Sequence, residues 1–308
     1  MGRLSPQARF IINEEQWAKV APKPLPKKRP RALSVPREDD RQFSVWNVLK
    51  QPRKTLDQSQ SRLLSLPYEI RVMIWREAIG GLLLHLMRAP HKVASFRCSD
   101  EEEGKEYIQS GHFHCMSYYQ LRASYFSYWW EERNTDAKVN HANLLPLLQT
   151  CQFIYSETID MIYQDNIFHL TNTDTLMNLS RTILPHRFNQ IRILHLHCAF
   201  PFPISQIYHE KSHIDRWIET CLLLSDMKSL QQLYLYLGTG LIPKDQDEPD
   251  LERNVGLVLA PMSQITQTAV FDVRVPRTHE YFCQFGTKNM PFRLLLQAED
   301  RSDREPWL

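Results

Sequence analysis

Phe188-Asn-Gln-Ile-Arg-Ile193, Leu230-Gln-Gln-Leu-Tyr-Leu235 and Thr268-Ala-Val-Phe-Asp-Val273 share one spacing, apolar-x-x-apolar-x-apolar, and lie 42 and then 38 residues apart. Each ends in alternating apolar positions, the mark of a strand with one buried face. Between the first two, Ile214 to Leu224 carries the apolar spacing of a helix. Strand, helix and strand in that order call for crossover connections and a parallel sheet. The expected fold class is α/β (α+β), with a βα array over 186–297 and a short parallel sheet.

Working outward, Phe292–Leu296 adds a last strand. Ile167–Leu170 reads as a short strand, and Thr173–Leu184 as a helix stopped by Pro185. Upstream, Leu144–Tyr163 is helical, as one helix or two short ones. Leu147, Cys151, Ile154 and Thr158 form one apolar line, and Leu148, Tyr155, Ile159 and Ile162 its neighbour. A further helix begins near Leu63, where Leu66, Ile70, Ile74 and Ala78 recur every four residues with Met73 beside them. Pro67 suits its first position, Glu69 complements its N-terminal N–H groups, and Gly80-Gly81 supplies the stop. Residues 81–88 and 92–97 look like two strands, opening an insert (80–142) whose remainder is irregular. Leucine-rich repeats use a strand pattern like that of the array at about 20–29 residues per unit. The longer spacing here makes the array an irregular relative of them.

Charge separates a tail from a body. Residues 1–62 hold 14 Lys+Arg, 6 Asp+Glu and 7 prolines, a net of +8, whereas the remaining 246 residues carry a net of −6. Alternating prolines at 22, 24 and 26 remove every second N–H, so this stretch cannot build a helix or a central strand. We read 1–62 as a disordered basic tail and 63–308 as one α/β body. Lys27-Lys28-Arg29-Pro30-Arg31 suits a nuclear import signal, weak nucleic-acid binding or a plain linker. The six cysteines are scattered with no CxxC pair, which suits reduced thiols in an intracellular protein, cytoplasmic or nuclear. No apolar run reaches membrane-span length, so no membrane partner is expected.

Glycine-rich phosphate loops and a GxSxG elbow are absent from the sequence. His209-Glu210-Lys211-Ser212-His213 is a literal HExxH, which on a helix would offer two imidazoles to zinc and a carboxylate as general base. Lys211 beside the proposed dication, Arg216 in place of a turn glycine and Glu219 in place of a third histidine argue against a metallopeptidase. A zinc-binding reading draws on His195, His197, Cys198, His209 and His213, and a looser one on Cys98, His112, His114 and Cys115. Seven aromatics between Tyr118 and Trp130 have only Arg122 among them, so they suit packing or a protein interface better than nucleic acid. No complete set of nucleophile, base and orienting group can be assembled, so the expectation is a binding protein with no catalytic residues, no metal and no cofactor.

Two motifs carry a resemblance. Leu63-Leu-Ser-Leu-Pro-Tyr-Glu-Ile-Arg-Val-Met-Ile-Trp75 resembles the opening helix of an F-box. Leu147-Leu-Gln-Thr-Cys-Gln-Phe-Ile-Tyr-Ser-Glu157, with Ile162-Tyr163 and Asn166-x-Phe168, is similar to its later helices. Together with Gly80-Gly81 and Ile183–Leu194, the pair resembles a group of fungal proteins whose domain of unknown function begins F-box-like. The resemblance implies a split F-box-like portion, 63–79 and 143–166, separated by the insert. It further implies a protein partner, a Skp-type adaptor of a cullin-RING ubiquitin ligase, met by Leu66, Pro67, Ile70 and Ile74. The same side chains could instead pack inward on Leu147, Cys151 and Ile154.

Overall fold

A computed structural model describes residues 19–26, 60–89, 91–97, 144–170, 172–200, 211–239, 251–275 and 290–296. The chain sorts into two compact units. One is built from 26–82 and 143–166, the other from 1–25, 83–142 and 167–308.

The first unit is helical. Helix α1 (Tyr68–Ile79) starts at Pro67, which lacks the N–H that a first turn leaves orphaned anyway. It stops at two glycines for separate reasons. A Cβ on Gly80 would sit 2.8 Å from the Arg76 carbonyl oxygen, and Gly81 has φ +69°. The second helical stretch is two helices, α2 (Leu144–Leu148) and α3 (Gln152–Gln164). They part at Cys151, whose extended backbone and Sγ cap α3 by accepting from the Ile154 N–H at 3.4 Å. Helix α1 packs on α3. The sides they bury are Arg71, Trp75 and Ile79 on α1 and Thr158, Ile159 and Ile162 on α3.

The second unit is a seven-stranded sheet with a helical layer. Strands β1 (Leu83–Ala89) and β2 (Lys92–Arg97) form an antiparallel hairpin. Then come β3 (Ile167–Leu170), α4 (Thr173–Thr182), α5 (Pro185–Phe188), β4 (Ile193–Phe200), α6 (Lys211–Ser225), β5 (Gln232–Thr239), α7 (Leu251–Leu259), a 3₁₀ turn (Ala260–Gln264), β6 (Val270–Val275) and β7 (Arg293–Leu296). Strand order is β2-β1-β3-β4-β5-β6-β7, parallel from β1 onward. Among the described residues this is a mixed α/β fold with seven helices and a mostly parallel sheet. The two strands at the start of the insert are part of that sheet.

Strand alternation sorts the sheet into two faces. Leu84, Phe168, Leu194, Leu233 and Phe271 pair in one row, Leu86, Leu170, Leu196, Leu235 and Val273 in the next, and all ten are buried. Helix α6 packs beside α4 and α7. Its Trp217 Nε1 donates to the Val258 carbonyl at 2.8 Å, a buried bond fixing α6 to α7.

The pairing shifts the frame of the repeat. Ile193 lies opposite Gln232, and Leu194 opposite Leu233 and then Phe271. The structurally equivalent first segment is therefore Ile191-x-x-Leu194-x-Leu196, three residues later than the sequence pattern placed it. Counted this way the strands recur at 39 and 38 residues. The tail also differs from expectation at residues 19–26. The Leu25 N–H donates to the Arg181 carbonyl at 2.9 Å, and the Val20 carbonyl accepts from His91 at 2.7 Å. Leu25 lies between two prolines and keeps its own N–H, so a proline-rich segment can still dock at single points.

Candidate functional site

Among the described residues, five of the seven exposed large apolar side chains lie in the helical unit: Tyr68, Ile70, Met73 and Ile74 on α1 and Phe153 on α3. Four of them follow from how α1 is turned. Its buried stripe is Arg71, Trp75 and Ile79, so the neighbouring stripe is left outside. Ile70 is 43% exposed, Ile74 37% and Met73 67%. Pro67 is exposed and Leu66 half-buried at the entry to the helix. The side chains expected at a partner surface thus share one edge and one face of α1, where Ile70 and Ile74 are each partly exposed and partly covered.

Behind that face sits a charged knot. The Arg71 guanidinium reaches Glu157 on α3, with Nη2 to Oε1 at 2.6 Å and Nε to both carboxylate oxygens at 3.1–3.2 Å. Its Nη1 donates to the Leu66 carbonyl and, at 3.3 Å, to that of Leu64. Trp75 Nε1 gives Glu157 a further bond at 3.0 Å. The rings of Phe153 and Tyr68 lie 5.1 and 5.9 Å from the guanidinium carbon. The hydrogen bond to Glu157 raises the Arg71 pKa above its ordinary value, against the opposing effect of desolvation. Neither Arg71 nor Glu157 stands out in the sequence. The signal was an arginine one position after an apolar stripe, on the side where a tryptophan follows four residues later.

The other concentration of chemistry is on the sheet. His85, His169, His195, Tyr234, Asp272 and Arg293 stand opposite one another across six strands, on the face away from the leucine rows. His85 and His169 bring their Nδ1 atoms within 2.8 Å, so one ring donates and the other accepts. His197 stacks on Tyr236 at 4.5 Å and 12° and meets His169 edge-on at 4.8 Å. Burial, then the nearby His85, lowers the His197 pKa to about 3, and burial pushes the Tyr236 phenol up to about 12. Asp272 receives Arg293 through two bonds, at 2.8 and 3.0 Å.

The sequence placed His195 and His197 on one strand face, and they lie there, joined by His85 and His169, which it did not connect to them. Cys198 points the other way, with the buried leucines. His213 lies in the first turn of α6, and His209, Glu210, the aromatic stretch 118–130, Cys98, His112, His114, Cys115 and the basic run 27–31 lie outside the described residues. Among the described residues no three His, Cys, Asp or Glu side chains are placed to hold a metal ion. Between α4 and α6 a groove of about 220 Å³ is lined by Met177, Arg181, Glu219 and Leu222. That is smaller than the roughly 300–1,000 Å³ of small-molecule sites. Among the described residues no helix is long and apolar enough to cross a membrane.

No curated protein and no solved structure matches the chain. A family model described as Domain of unknown function (DUF7730) matches residues 56–293, well over half the sequence. The chain belongs to the DUF7730 family.

Proposed function

We propose that this protein is a non-enzymatic interaction module whose helical unit docks on a partner through α1, in the manner of the F-box it resembles. The partner is a Skp-type adaptor, and the protein serves a cullin-RING ubiquitin ligase as a substrate-recognition subunit. The observation carrying this reading is the outward apolar stripe of α1. A face cannot both fill a core and meet a partner, and Ile70, Met73 and Ile74 keep a large part of their surface exposed while Trp75 and Ile79 are buried. Soluble proteins leave single apolar side chains exposed as a matter of course, but a contiguous run along one helix marks an interaction site.

Co-purification with a Skp-type adaptor tests it. Ile70→Asp and Ile74→Asp alter side chains that are already partly solvated, so each should change stability by no more than about 1 kcal/mol. Wild type should retain the adaptor, and either variant should lose it while melting near the wild-type temperature. Failure of the wild-type chain to retain the adaptor would sink the proposal.

A further inference from the structure

Resting on that reading, we infer that Glu157 is a positioning residue for the docking surface, acting through Arg71. The argument starts from what the guanidinium joins. Its Nη1 holds the Leu64 and Leu66 carbonyls of the segment before α1, while Nε and Nη2 hold Glu157 on α3. An arginine fork can satisfy a carboxylate and still present a further nitrogen to carbonyls, which a lysine ammonium cannot do in the same plane. Two exposed aromatic rings from different helices, Tyr68 and Phe153, lie within 6 Å of the same carbon.

One buried cation therefore sets the pose of Leu66-Pro67, of the first turn of α1 and of Phe153, which come from segments 86 residues apart in sequence. The surface that meets the partner thus extends beyond α1. It includes Tyr68 and Phe153, and it is a single surface because Glu157 anchors the arginine. Removing the carboxylate frees the Leu64–Leu66 carbonyls along with the guanidinium, and the edge loses its fixed pose while α3 keeps its backbone bonds.

Hydrogen exchange on the full chain tests this without reference to any partner. Glu157→Ala should speed exchange at the Leu64, Ser65 and Leu66 amides by at least tenfold and leave the α3 amides within about twofold of wild type. Glu157→Gln, which keeps an acceptor for Arg71 and Trp75, should restore most of the protection. If Glu157→Ala does not fold, Arg71→Lys should produce the same local change, because it keeps the charge and loses the fork. Unchanged exchange at 64–66, or a uniform rise through the helical unit, would overturn the inference. Adaptor binding by the same variants should fall at least tenfold in Glu157→Ala and in Phe153→Ala. If wild type binds no adaptor yet the local exchange pattern appears, the partner assignment fails and the positioning role stands.

Discussion

Asn166 shows how much one amide can hold. It is fully buried, its Oδ1 accepts from the Leu82 N–H at 2.8 Å, and its Nδ2 donates to the Ile79 and Ile162 carbonyls at 2.8 and 3.0 Å. The Gly81 N–H adds a bond to the Asp165 carbonyl at 2.9 Å. The two chain exits tied together here run straight into β1 and β3, whose first residues, Leu83 and Ile167, are paired. Asn166→Ala would leave buried backbone groups without partners, at about 1–3 kcal/mol for each one that water cannot reach. We expect a loss of about 3 kcal/mol in denaturant unfolding, and Asn166→Asp should be no better, since a carboxylate cannot donate to two carbonyls. A loss below 1 kcal/mol would show that solvent relieves these groups. The position of Asn166 was legible in its motif; its role was not, because its three partners lie at both ends of the split helical portion.

At the scale of elements, periodicity found most helices and strands but not which way each one faces. In α1 the stripe Leu66, Ile70, Ile74 and Ala78 is the more apolar one, yet the buried stripe contains an arginine. An ionised side chain is buried only when paired, and the pair for Arg71 lies 86 residues away, where local spacing carries no trace of it. The strand frame failed for a related reason. Ile191, Ile193, Leu194 and Leu196 offer two overlapping apolar patterns, and only pairing with β5 chooses between them. Helix α7 was not anticipated at all. The chosen frame makes a paired prediction. Leu194→Ala, at a site with no exposure, should cost about 2–5 kcal/mol through the cavity it leaves. Ile193→Ala, on the other face and half-buried, should cost less than half as much. Parallel melts showing equal losses, or a larger one for Ile193→Ala, would contradict the assigned register.

For the molecule as a whole, a row of imidazoles crosses the sheet, and one of them, His197, ties its stability to pH. His85, His169 and His195 are buried side by side on β1, β3 and β4, with His197 one step further along β4. No single segment of sequence shows this, because the four residues come from three strands and meet only through the sheet order. His197 has the clearest consequence. Its pKa falls from 6.5 to about 3 on folding, through burial and the neighbouring His85. Between those values the unfolded chain binds a proton that the folded chain refuses, so stability rises with pH across the window. The contribution is complete above pH 6.5 and is lost as pH falls toward 3, at about 1.4 kcal/mol per unit from this one group. Unfolding measured in urea from pH 7.5 down to pH 4 should show that slope. His197→Phe, which keeps an aromatic ring to stack on Tyr236 and removes the titrating group, should flatten it by about one proton. An unchanged slope in His197→Phe would overturn the assignment of this acid sensitivity to His197.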